Sequence, residues 1–122
     1  MGELNFVIVD DTFFMRNLIR KIIEEVPSYK IVGEGANGYE AIEKARILKP
    51  DVMTLDITMP DLDGISAVPK ILAESPATKI IICSALGNEQ SIMESIRRGA
   101  KDFVLKPFDK ERLLSAIRKA TG

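Results

Sequence analysis

Five short apolar runs constrain this chain more than any other feature. They are Phe6-Val7-Ile8-Val9, Ile31-Val32, Val52-Met53-Thr54-Leu55, Ile80-Ile81-Ile82-Cys83 and Phe103-Val104-Leu105, and their first residues lie 21 to 28 positions apart. The central runs are continuously apolar and rich in branched side chains, as parallel strands covered on both faces require. Each gap leaves room for one helix. The runs share no sequence, so the spacing is not an internal repeat.

The gaps carry helical patterning. Phe14, Leu18, Ile22 and Val26 form a stripe that Pro27 ends, and Ala41, Ile42, Ala45 and Leu48 form a second that Pro50 closes. A third segment, from about Asp63 to Glu74, contains Pro69. Because proline in a helix interior costs about 3 kcal/mol, this helix is expected to start late or to bend. Ile92, Ile96 and Ala100 mark a fourth, with Gly99 near its end, and Leu113, Leu114, Ile117 and Ala120 a fifth behind Asp109 as N-cap. Five strand–helix units with right-handed crossovers give an α/β fold, an open, doubly wound parallel sheet between two helical layers.

Composition narrows the function. The 122 residues are 46% hydrophobic and 29% charged, the balance of one globular domain spanning 1–122. A formal charge of −1 argues against direct nucleic-acid binding, since a phosphate backbone selects a basic face. No apolar run approaches the ~20 residues of a membrane span, and the N-terminus lacks a signal-peptide pattern. The single Cys83 excludes an internal disulfide and suits a reducing cytoplasm, the expected location. The chain contains no histidine, which removes Ser-His-Asp and Cys-His nucleophile pairs and His-bearing zinc sites.

Open parallel sheets carry their functional residues just beyond the carboxyl ends of the strands, where the strand order reverses. Here the first run leads into Asp10-Asp11, the third into Asp56, the fourth into Ser84 and the fifth into Lys106. Carboxylates crowded together raise one another's pKa unless a cation relieves them. A donor set of oxygens alone favours Mg2+. Aspartates at strand-to-helix turns also serve as helix caps, which accounts for one or two of these positions but not for all five.

Val9-Asp10-Asp11, Leu55-Asp56-Ile57-Thr58-Met59-Pro60 with Asp63-Gly64, Cys83-Ser84-Ala85 and Lys106-Pro107-Phe108 together resemble the two-component receiver domains, over essentially the whole chain. The resemblance implies the flavodoxin-like strand order 2-1-3-4-5, which brings Asp10, Asp11 and Asp56 together. It implies Asp56 as the acceptor of a phosphoryl group from a kinase histidine. Mg2+ would be held by Asp11, Asp56 and the Thr58 carbonyl, with Asp10 acting mainly through a water. Lys106 would pair with the phosphoryl oxygens and, beforehand, with Asp56. Ser84 would donate its hydroxyl to the phosphoryl group and Phe103 would turn inward as the loop moves. Phe103 stands where many relatives carry Tyr, and the Lys106-Pro107 bond is cis in the family. In the family, the positions held here by Thr58 and Leu86 tune dephosphorylation.

With Phe14-Met15-Arg16 and Gly99-Ala100-Lys101-Asp102-Phe103, the chain is most similar to single-domain chemotaxis receivers. The implied partners are a chemotaxis-class histidine kinase, the flagellar motor switch and a phosphatase, with the protein a monomer. The chain stops about where the fifth helix should end, so its own surface is the expected effector. Residues 89–122 carry eight basic and five acidic side chains, with Arg97, Arg98, Lys101, Lys110 and Arg112 as candidates for an acidic partner. A phosphorelay receiver or a part of a longer regulator is the alternative. Gly33-Glu34-Gly35-Ala36-Asn37-Gly38 matches a dinucleotide fingerprint but follows a short, partly polar strand that reads as a sheet edge. Asp61-Leu62-Asp63-Gly64 is similar to an aspartate phosphohydrolase motif, but Met59-Pro60 separates it from its strand.

Overall fold

A computed structural model describes residues 2–85 and 87–122. Five strands, β1 (Leu4–Val9), β2 (Tyr29–Gly35), β3 (Val52–Asp56), β4 (Lys79–Ala85) and β5 (Asp102–Lys106), alternate with five helices. These are α1 (Phe13–Glu24), α2 (Gly38–Leu48), α3 (Gly64–Glu74), α4 (Glu89–Arg97) and α5 (Lys110–Thr121). The sheet is parallel throughout, in the order β2-β1-β3-β4-β5. The expected receiver-type, flavodoxin-like doubly wound fold is therefore present. No helix among the described residues is long and apolar enough to cross a membrane.

The period-two geometry of a strand divides the core into two layers. Val7, Val9, Met53, Leu55, Ile80 and Ile82 face α2 and α3, meeting Ala41, Ala45, Ala67, Val68 and Ile71. Their neighbours Phe6, Ile8, Val52, Ile81, Cys83 and Val104 face α1 and α5, meeting Ile19, Ile23, Leu113 and Ile117. Both faces of β3 are buried along its whole length, so Asp56 is carried out of the centre of the sheet.

Three helical expectations are corrected. The buried face of α1 is Ile19, Ile22 and Ile23, whereas Phe14 is 75% and Phe13 72% exposed. The better stripe is Met15-Ile19-Ile22-Ile23-Val26, one residue round from the one read through Phe14 and Leu18. In α4 the residue turned inward beside Ile92 is Ser95, whose hydroxyl returns to the Ser91 carbonyl, and Ile96 sits at the margin of exposure. The third helix does not start late. It begins at Gly64, is capped by Asp63, and runs through Pro69. Proline there has no amide for the Ile65 carbonyl four residues back. Arg98, the C-cap of α4, reaches that carbonyl at 3.5 Å.

Candidate functional site

The first β-strand delivers Asp10 and Asp11 to the sheet's carboxyl edge beside Asp56 of β3, at the point where strand order reverses. One carboxylate oxygen from each of the three lies within 4.8 Å of the other two. Asp10 is 1% exposed and Asp56 7% exposed, while Asp11 faces solvent. From β5, Lys106 places its ammonium 2.8 Å from Asp10 Oδ2 and 3.6 Å from Asp56 Oδ1. The lysine thus bonds Asp10 first and Asp56 second, which modifies the expected Lys106–Asp56 pairing. The Lys106-Pro107 peptide that follows is cis.

Asp10 is fully engaged. Its Oδ1 accepts from the backbone amide and the hydroxyl of Thr12, at 3.0 and 3.1 Å. Thr12 in turn caps α1 by accepting from the Met15 amide. Arg16, one turn into α1, donates to the Asp10 carbonyl at 2.7 Å and is held by Glu34 of β2 at 3.0 Å. Arg20 pairs with the same Glu34. Thr12 and Arg16 were not singled out as site residues from the sequence. Threonine directly before a helical stripe is an N-cap signal that points to the first; nothing local points to the second.

Asp56 differs. Its Oδ1 accepts a long, 3.3 Å bond from the Thr58 amide. Burial pushes its pKa up to about 6; Lys106 pulls it down, and Asp10 and Asp11 push it up. Burial also works against the charge of Lys106, but the hydrogen bond to Asp10 and the charge of Asp56 outweigh it and hold the ammonium above its ordinary value. Three carboxylates against one ammonium leave two negative charges among oxygen donors, a fit for a small, hard divalent cation such as Mg2+. Gly64 makes the close approach of the β3–α3 loop possible. Its amide donates to the Ile57 carbonyl at 2.8 Å, and a Cβ there would fall on the Asp56 carbonyl.

Ser84, at the end of β4, is buried and makes no hydrogen bond with the acids among the described residues. Its hydroxyl accepts from Asn88 Nδ2 at 3.0 Å and lies 3.3 Å from the Ala85 carbonyl. Phe103 is half-buried and lines a groove of about 210 Å3 with Glu89, Ile92, Met93 and Leu105. Leu86 lies outside the described residues. Cys83, wholly buried, has its thiol pushed up to about 12 by burial, so it is an inert core residue.

Both competing motifs acquire structural explanations. Gly33 and Gly35 belong to β2, the edge strand, away from the strand-order reversal. The first amide of α2, that of Gly38, is taken by the Leu62 carbonyl at 2.9 Å. Asp63 caps α3 through the Ser66 amide, at 2.8 Å. Of the basic candidates, Arg97 and Arg98 both pair with Glu94, and Lys110 pairs with Glu25. Among the described residues no acid lies within ion-pair distance of exposed Lys101 or Arg112.

An acid triad at the reversal point of a 2-1-3-4-5 sheet, faced by a lysine from the last strand, is the arrangement of a phospho-accepting signalling domain, and the family match places the chain in that class. The response regulator receiver domain family matches residues 6–118, and the chain belongs to it. It is 46% identical over 121 residues to the chemotaxis protein CheY of Thermotoga maritima, with 99% of each chain covered. To CheY of Listeria monocytogenes it is 45% identical over 117 residues, covering 96% of this chain and 98% of that one. A chain in the crystal structure of the CheX-CheY-BeF3-Mg2+ complex from Borrelia burgdorferi is similar in fold. The TM-score is 0.89 at 33% identity, with 97% of this chain and 89% of that chain covered.

Proposed function

We propose that this chain, as a single receiver domain over 1–122, takes a phosphoryl group on Asp56 from a chemotaxis-class histidine kinase. In its phosphorylated form it would bind a target, the flagellar motor switch, through the face built by α4, β5 and α5. The observation that carries the reading is the position of Asp56. It is the triad acid that ends a strand buried on both faces, and its carboxylate receives one long amide bond and a 3.6 Å contact with Lys106. Asp10, by contrast, has both oxygens bonded.

An Asp56 oxygen attacks the phosphorus of the phosphohistidine. The O–P bond forms as the P–N bond breaks, and the leaving imidazole takes up a proton from solvent. Asp11 and Asp56, with the Thr58 carbonyl, are the residues that would hold Mg2+, and Asp10 would support it through a water. An ion bound there would offset charge on the phosphoryl oxygens. Lys106 supplies a second positive charge to the same oxygens, and its existing bond to Asp10 keeps it aimed there. Ser84 donates its hydroxyl to a phosphoryl oxygen, Phe103 turns inward beside Ile92, and the groove on α4 changes shape for the target. A phosphatase ends the signal, and the events take place in the cytoplasm.

Intact-mass spectra after incubation with acetyl phosphate test the chemistry. A phosphoryl adduct that requires Mg2+ and is absent from Asp56→Asn is expected; no adduct on the wild type overturns the reading. A pull-down with motor-switch protein tests the target. Capture only in the presence of beryllofluoride and Mg2+ is expected, and capture that ignores the phosphate mimic counts against it.

A further inference from the structure

Four of the five helices begin alike. Thr12, Asn37, Asp63 and Asp109 hold extended backbone, and a side-chain oxygen of each accepts the amide three residues on. At the start of α4 stands Asn88, a residue type among the best N-caps, yet with φ −106° and ψ 30° its side chain makes no bond to the helix. Its Nδ2 goes instead to the hydroxyl of Ser84. The amide group that would close the first turn of α4 is thus committed to the same hydroxyl that the receiver reading assigns to the phosphoryl group.

We propose that Asn88 is a positioning residue with two alternative partners: Ser84 in the unphosphorylated chain, and the first turn of α4 once Ser84 has engaged a phosphoryl oxygen. The inference rests on the role given to Ser84 above. A hydroxyl carries one hydrogen, so donating it to a phosphoryl oxygen turns it from Ala85, and the movement of Ser84 toward the acids that this bond requires carries its oxygen away from Asn88 Nδ2. Gly87 permits the rearrangement. It already sits at φ +97° with open space around it, so the chain turns there without a side-chain clash.

Released from Ser84, Asn88 Oδ1 accepts the amide of Ser91, the same three-residue offset as in the other four caps. That amide is one of the donors a helix start otherwise leaves without a partner. The turn being tightened carries Glu89, and Ile92 and Met93 follow it. With Phe103 and Leu105 these three line the 210 Å3 groove. Exchange of one amide's partner therefore carries the event at Asp56 into the target-binding face.

The test is amide hydrogen exchange on the 122-residue chain, read residue by residue by NMR. Wild type, Asn88→Ala and Asn88→Asp are each measured in Mg2+ with and without beryllofluoride. In the wild type the mimic is expected to slow exchange at Ser91 by about fivefold, the worth of one cap. Asn88→Ala is expected to take up the mimic, read by the Asp56 and Thr58 shifts, without that slowing. Asn88→Asp can cap but cannot donate to Ser84, so it is expected to protect Ser91 before any mimic is added. Equal slowing in wild type and Asn88→Ala overturns the inference, as does an unprotected Ser91 in Asn88→Asp. If the Asp56 and Thr58 shifts of the wild type ignore the mimic, the receiver reading itself fails and takes this inference with it.

Discussion

The Lys106 ammonium lies 0.8 Å closer to Asp10 than to Asp56, at 2.8 Å against 3.6 Å. Asp10 is the most deeply buried acid of the cluster, and the ammonium is its nearest positive charge. Asp56 is left with a loosely held carboxylate. One lysine thus does two things: it fixes Asp10 and leaves Asp56 available.

Removing that lysine is expected to separate stability from cation binding. Lys106→Met strands a buried carboxylate and should lower the stability of the cation-free chain by about 3 kcal/mol. It also removes a positive charge next to the incoming ion, so Mg2+ should bind about tenfold more tightly. Urea titrations with and without Mg2+ measure both, and a variant that loses Mg2+ affinity would contradict the assignment.

The raised pKa of Asp56 has a pH consequence of definite sign. With the carboxyl at about 6 in the folded chain against an ordinary 3.8, the folded state binds the proton more tightly than the unfolded one. Without Mg2+, the wild type therefore loses stability as pH rises from about 4 to above 6. Asp56→Asn, which has no charge to bury, should be more stable than the wild type above that window by on the order of 2 kcal/mol and gain nothing below it. Thermal melts at pH 4 and pH 7.5 test this; a gap independent of pH would sink it.

Pro69 leaves the Ile65 carbonyl without a helical donor, and Arg98, the C-cap of α4, answers at 3.5 Å. Pro69→Ala restores the missing amide at an exposed position and is expected to stabilise the chain by about 1–2 kcal/mol, less than the full ~3 kcal/mol of an interior proline because Arg98 offsets part of it. Arg98→Ala should cost less in the Pro69→Ala background than in the wild type. Additive effects in a double-mutant cycle would mean that the two residues do not share the Ile65 carbonyl.

Gly64 lies against the backbone of Asp56. Because a Cβ there would meet the Asp56 carbonyl, Gly64→Ala must push the β3–α3 loop outward. The expected cost is about 2–4 kcal/mol, together with slower phosphorylation by acetyl phosphate. An alanine variant with unchanged midpoint and unchanged adduct rate would show that the loop yields freely.

How much of this was legible in the sequence follows from the range over which each feature is decided. The five strands, and the polar residue ending four of them, are written locally: branched apolar runs of a few residues, each cut off by Asp10, Asp56, Ser84 or Lys106. Once those runs form one parallel sheet, their ends must share an edge, so the membership of the site could be read before its geometry. The inward face of α1 was misread because two stripes, through Phe14 or through Ile19, are nearly equivalent on a helix. Docking against β1 and α5 chose between them.

The sequence by itself determined the alternation of elements, the sheet and the identities of the charged groups, because backbone preference and side-chain period act over a few residues. Only the tertiary structure decided which acid Lys106 holds, 96 positions away, that Asn88 serves Ser84 rather than its own helix, and that Arg98 serves a carbonyl of α3. Each of those outcomes is a choice between polar partners, and for Lys106 the two differ by 0.8 Å. Distances of that size are set by how the helices seat on the sheet, and no pattern along the chain encodes them.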